Sequence, residues 1–122
     1  MVYDEENVFS KILRGEIPVN SVYEDEYALA FEDINPQAPV HLLVIPKGSY
    51  VSLDDFTPTA SDHDVAGFFI AVGQVAREAG LSESGYRILA NHGNDANQEV
   101  PHFHVHIVGG RNVGKMISLK DN

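Results

Sequence analysis

The 122-residue chain has no cysteine and no tryptophan, and only two methionines. Without cysteine, no disulfide and no thiolate site is possible. Basic residues are also scarce. Eight Lys and Arg stand against 18 Asp and Glu, for a net charge of −10. A nonspecific grip on DNA, RNA or an anionic membrane needs a basic surface, so neither nucleic acid nor membrane is an expected partner. A small anionic ligand remains open, because a few backbone N–H groups and imidazoles can hold one phosphate inside an acidic protein. No apolar run approaches the roughly 20 residues of a membrane span. The start, MVYDEENVF, lacks the basic-then-apolar pattern of a secretion signal. The cytoplasm is therefore the expected location.

What is present is ordinary for a folded domain: 43% hydrophobic and 21% charged residues, which is too apolar for a disordered chain. No repeat, low-complexity tract or linker appears, so residues 1–122 are expected to form a single domain.

Asn7 can cap a short helix whose apolar residues Val8, Phe9, Ile12 and Leu13 recur at helical spacing, with Gly15 and Pro18 ending it. Strands are predicted over 21–24 and 28–31, and the two prolines of NPQAP at 35–39 make that segment a turn or loop. HLLVI at 41–45 is near-continuously apolar and reads as a buried central strand. Residues 47–60 give no clear assignment. A long helix begins at Ser61, which forms a capping-box-like pair with Asp64. Val65, Phe68, Phe69, Val72, Val75, Ala76 and Ala79 would form its apolar face, and Gly80 would stop it. YRILAN at 86–91 reads as a strand, residues 92–101 as a polar loop, and 102–108 as a last strand. Short links between consecutive strands favour antiparallel pairing, hence an α+β domain with one sheet.

The last strand carries the chemistry. In HFHVHIVGG, His102, His104 and His106 alternate with Phe103, Val105 and Ile107. Strand side chains alternate faces, so the imidazoles should share one face and the apolar residues the core. At about 3.3 Å per residue, the outer two histidines lie roughly 13 Å apart at their backbones. Zinc would take only two of the three, completed by His41, His92 or a carboxylate. A row of imidazoles also suits phosphate chemistry: a neutral ring attacks or accepts a proton, and a protonated ring binds phosphate oxygens or donates a proton. Exposed histidines without a role are the plain alternative.

HFHVHIV fits the His-φ-His-φ-His-φ-φ signature, with φ apolar, of the histidine triad (HIT) superfamily. FSKILRGEIP, FEDINPQAPVHLLVIPK at 31–47 and YRILANHG at 86–93 extend the likeness. Together they resemble the histidine triad nucleotide-binding (Hint) branch, from about Asn7 to Arg111, leaving a short tail at 112–122.

The resemblance implies a HIT-like fold: a five-stranded antiparallel sheet with a long helix and a short N-terminal helix. Two copies would join into one continuous sheet through the long helix and the strand ending in Asn91. It implies a purine nucleotide hydrolase or nucleotidyl transferase that cleaves nucleoside 5′-phosphoramidates or acyl-nucleotides and releases AMP or GMP. It implies no metal and no cofactor. His104 would be the nucleophile, its other nitrogen donating to the backbone carbonyl of His102. His106 would bind the phosphate, and His41 would position the triad and manage protons. Asp33 would accept from the ribose hydroxyls. Asn91 and Gln98 would hold ribose, phosphate or leaving group. Val8, Phe9, Ile12, Ile17, Phe31 and Ile34 would wall the base.

Two departures stand out. Glu99 sits where many animal members have a serine that contacts the phosphate or leaving group, so only its backbone N–H carries over. Pro101 directly precedes His102 and lacks an N–H, so this end of the strand should be an edge or a bulge. The tail also differs from the tryptophan-containing ending of animal members. Three further readings remain: a dinucleoside polyphosphate hydrolase of the same superfamily, from which FSKILRGEIP points away; a nucleotide-binding regulatory protein with weak catalysis, prompted by Glu99; and a metalloenzyme.

Overall fold

The computed structural model describes residues 2–117. In chain order its elements are α1 (Val8–Leu13), β1 (Ser21–Glu24), β2 (Ala28–Glu32), β3 (Val40–Pro46), α2 (Leu53–Thr59), α3 (Asp62–Glu78), β4 (Tyr86–Leu89), a 3-10 turn (Asn94–Ala96) and β5 (Val105–Gly109). The five strands form one antiparallel sheet in the order β1-β2-β3-β5-β4. The expected α+β class and five-stranded sheet are borne out. The last part of the tail, 118–122, lies outside the described residues.

β3 is apolar along its length because it is central and covered on both faces. Leu42 and Val44 face α2 and α3, in a core with Phe56, Phe68, Val72, Val75, Phe103, Val105 and Ile107. Leu43 and Ile45 face the other way, against Phe9 and Ile12 of α1 with Leu29 and Phe31. Ile107 has no exposed surface, and full burial of such a side chain contributes about 1.5–3 kcal/mol.

α1 starts as its sequence predicts: the Asn7 side chain accepts from the Ser10 N–H at 2.9 Å. α3 does too, with Ser61 accepting from the Asp64 N–H at 3.0 Å. The reciprocal bond of a capping box is found instead on α2, where the Asp55 carboxylate receives the N–H groups of Ser52 and Val51. α2 fills the stretch that gave no assignment. Pro58 hides it, since proline is normally a helix breaker and here sits next to the helix end.

Three other expectations need correction. On α3, Phe69 is exposed and Ala71 is buried in its place, because the buried stripe runs through Phe68, Ala71, Val72, Val75 and Ala76. The strand predicted over 86–91 ends at Leu89, and Asn91 lies beyond it. The last strand begins at Val105, not at His102. Pro101 cannot donate to a ladder, and the Phe103 N–H goes to the Tyr50 carbonyl at 2.7 Å instead of to a strand. Phe103, Val105 and Ile107 nevertheless all point into the core under α2 and α3.

Candidate active site

The α1 side of the sheet gathers the histidines. Leu43 faces His106 across β3 and β5, and facing residues share a side, so His41 two residues earlier joins them. The unpaired run before β5 supplies His102 and His104. The Phe9 ring meets both edge-on, at 5.0 Å from His104 and 6.3 Å from His102. His104 and His106 are neighbours with ring centroids 5.1 Å apart.

His104 is buried, and its Nδ1 lies 2.7 Å from the His102 carbonyl oxygen. A carbonyl only accepts, so Nδ1 carries the proton and Nε2 keeps its lone pair. Burial holds the His104 pKa below the ordinary value, against the opposing pull of that carbonyl and the weaker fields of Asp33 and Glu99. The result is a neutral imidazole with one fixed tautomer, which is the state a nucleophile needs.

His102 has no exposed surface. Its Nε2–H donates to the Pro46 carbonyl at 3.1 Å, so its Nδ1 accepts from the Tyr3 hydroxyl. Burial pushes this ring down to about 4. The ring is fully engaged with protein, and the backbone carbonyl is what His102 gives to its neighbour.

His41 and His106 form a relay. The Gln37 N–H donates to His41 Nδ1 at 3.0 Å. The His41 proton is therefore on Nε2, which faces His106 Nδ1 at 2.9 Å and Asp33 Oδ2 at 3.3 Å. His106 in turn carries its proton on Nε2, as a donor. Burial, then the fields of His104 and His41, hold His106 down to about 4.

Asp33, His41 and His106 also offer ligand atoms within 4.8 Å of one another, spacing that could suit a metal ion. The hydrogen bonds point away from that use. To ligate through Nε2, a neutral His41 would need its proton on Nδ1, directly opposing the Gln37 N–H. This group also contains one triad histidine, not the two that strand spacing allowed.

The remaining expected residues divide. Phe9, Ile12 and Phe31 are buried in the α1-side core, and Ile17 packs against it. Val8 is exposed on α1 and Ile34 is 97% exposed. Asp33 is half-buried beside His41 and takes the Asn35 N–H on its other oxygen. Asn91 lines a cavity of about 260 Å³ with His41, His106, Arg87 and Arg111. The Gln98 amide is engaged by backbone: it donates to the Val51 and Val100 carbonyls and accepts from the Gly93 N–H. Glu99 is exposed, turned to solvent yet close enough for its field to reach His104.

Two residues were missed by sequence reasoning. Gln37 acts through its backbone, which no side-chain pattern reveals. Tyr3 meets His102 across 99 residues of chain, and nothing local marks it.

The family model for the HIT domain matches residues 14–113. A purine nucleoside phosphoramidase of Escherichia coli is 42% identical over 118 residues, covering 95% of this chain and 97% of that protein. An uncharacterised HIT-like protein of Azospirillum brasilense is 63% identical over 116 residues, 95% of each chain. Among solved structures, a HIT family hydrolase from Clostridium thermocellum superposes with a TM-score of 0.85 at 38% identity, covering 94% of this chain and 99% of that one. The chain belongs to the HIT family.

Proposed function

We propose that this HIT-family protein is a hydrolase of purine nucleoside 5′-phosphoramidates and related acyl-nucleotides, working through a nucleotidyl-histidine intermediate. One observation carries the reading: buried His104, with Nδ1–H bound to the His102 carbonyl and Nε2 free, beside His106 as an N–H donor. The 42% identity to the E. coli purine nucleoside phosphoramidase supports the substrate class.

In this reading the His104 Nε2 lone pair attacks the α-phosphorus, and the phosphorus–nitrogen bond to the amine breaks. The amine leaves with its electron pair and takes up a proton from solvent, which recovers one when the attacking water is deprotonated. Water then attacks phosphorus, the bond to Nε2 breaks, and AMP or GMP departs with His104 neutral again. His106 Nε2–H meets the charge on the phosphate oxygens, and His41 holds His106 in the donor tautomer. Phe9, Ile12 and Phe31 form the apolar side of the nucleotide site, and Asp33 faces the ribose. Asn91, in the cavity beside His106, faces the phosphate or leaving group. Gln98 supports this site by holding its loop. Glu99 faces the leaving group from solvent. No step calls for a metal or cofactor.

The working form in this reading is a cytoplasmic homodimer. β4 is a sheet edge with Tyr86, Ile88 and Leu89 exposed, and α3 leaves Phe69 and Ile70 exposed. Such an apolar edge favours pairing with a second copy. Among the described residues no helix is long and apolar enough to cross a membrane. Sedimentation velocity should show a dimer that Ile88→Lys converts to monomer.

The deciding experiment is a panel of adenosine and guanosine phosphoramidates, acyl-nucleotides and dinucleoside polyphosphates, incubated with chelator and read by monophosphate release. Phosphoramidates should turn over fastest, and rapid quenching should trap a nucleotide on the peptide containing His104. Absence of monophosphate from every phosphoramidate and acyl-nucleotide would refute the reading.

A further inference from the structure

The Tyr3 hydroxyl is the hydrogen-bond donor to a nitrogen at the heart of the histidine cluster, yet Tyr3 lies outside the stretch matched by the family model. Its ring meets His102 edge-on, with centroids 5.6 Å apart and planes at 69°. The segment that carries it is a built turn. The Asp4 carbonyl receives both the backbone N–H and the side-chain amide of Asn7, and the Asp4 carboxylate receives the Glu6 N–H. Asn7 is itself buried and caps α1. One residue therefore fixes the start of the helix and the turn that places Tyr3 on His102.

The direction of the bond follows from proton accounting. The Pro46 carbonyl can only accept, so the neutral His102 ring places its proton on Nε2. Nδ1 is then an acceptor, and the Tyr3 hydroxyl donates to it. With no exposed surface on His102, water cannot replace that donor without a rearrangement. Loss of the hydroxyl would leave a buried acceptor without a partner, which is costly and favours reorientation of the ring. The ring and the carbonyl that receives His104 Nδ1–H belong to the same residue, in a run that no strand pairing holds.

We propose that Tyr3 is a positioning residue of the active centre: its hydroxyl locks the His102 ring, and thereby the backbone carbonyl that orients His104. The rate consequence rests on the hydrolase reading above, whereas the ring consequence does not.

The test is Tyr3→Phe in the full chain, which keeps the aromatic ring and removes only the donor. Nitrogen NMR of the histidine rings should show His102 in a single Nε2–H tautomer in the parent. In the variant that tautomer should be lost, and the His104 Nδ1–H resonance should shift. With a phosphoramidate substrate, kcat should fall about tenfold while KM stays within about twofold. The carbonyl bond opposes the lowering of the His104 pKa. Weakening it should therefore move the acid limb of kcat/KM to lower pH, which a general loss of stability would not do. Parent-like histidine resonances in a folded Tyr3→Phe variant overturn the proposal, as does a parent-like kcat. If the parent turns over no nucleotide, the hydrolase reading fails and the His104 resonance decides alone: shifted, the proposal stands, and unshifted, it falls.

Discussion

The backbone N–H of Gln37 points at Nδ1 of His41 from 3.0 Å, and this contact sets the protonation pattern of two histidines. It forces the His41 proton onto Nε2, and so makes His106 a donor through its own Nε2. A glutamine side chain offers one acceptor and one donor, so His41→Gln can partly reproduce the relay. His41→Ala should lower kcat by about 10–100-fold, and His41→Gln by less, with steady-state kinetics on a phosphoramidate as the measurement.

In the proposed mechanism His104 supplies the attacking nitrogen. His104→Ala should reduce turnover by about 10⁴-fold or more and abolish the trapped nucleotidyl peptide, with an unchanged circular dichroism spectrum. Parent-like hydrolysis by this variant would move the nucleophile elsewhere.

Histidines held in the neutral form tie stability to pH. His102 and His106 are held down to about 4, against an ordinary value of 6.5. Above about pH 6.5 both folded and unfolded states keep these rings neutral. As pH falls from 6.5 toward 4, the unfolded chain binds protons that the folded chain resists, so stability falls; below about 4 the effect levels off. For His102 alone the loss is about 3 kcal/mol. Urea titrations across this range should show the decline, and His102→Asn should show a shallower one.

Gln98 makes three hydrogen bonds that hold its loop to Val51, Val100 and Gly93. Gln98→Ala should cost about 2 kcal/mol in chemical denaturation, because three backbone groups lose their partner. Hydrogen exchange at Gly93 should accelerate at the same time.

Gly67 on α3 lies under the Tyr27 ring, and a Cβ there would meet the ring's Cγ at 2.5 Å. That atom is near the root of the side chain and has little freedom to yield. Gly67→Ala should therefore destabilise by about 1–3 kcal/mol despite its better helix propensity, which a thermal melt would detect.

Much of the fold was legible because its signals are local. Asn7 and Ser61 cap helices through their own side chains, and the apolar run of β3 records burial on both faces. α2 left no helical period in the sequence, because its seven residues include Pro58 and bury only Phe56. Phe69 was misplaced because hydrophobic type does not reveal which side of a buried stripe opens to solvent. The histidine row was legible through its period of two. What each ring does was not, because the partners are backbone groups of Gln37, Pro46 and His102 and a tyrosine 99 residues away. Hydrogen bonds to backbone leave no pattern in side-chain types.

The late start of β5 has a consequence for transplanting this centre. Within a continuous strand, the carbonyl of the first histidine would be claimed by ladder pairing on one side or left pointing away from the imidazole two residues on. Here Pro101 and the Phe103–Tyr50 bond release that carbonyl from the sheet just before Val105 resumes it. Three alternating histidines copied into the middle of a regular sheet would therefore reproduce the row and not the oriented imidazole. A graft would have to include the break in the strand, and with it the neighbouring segment that makes the break affordable.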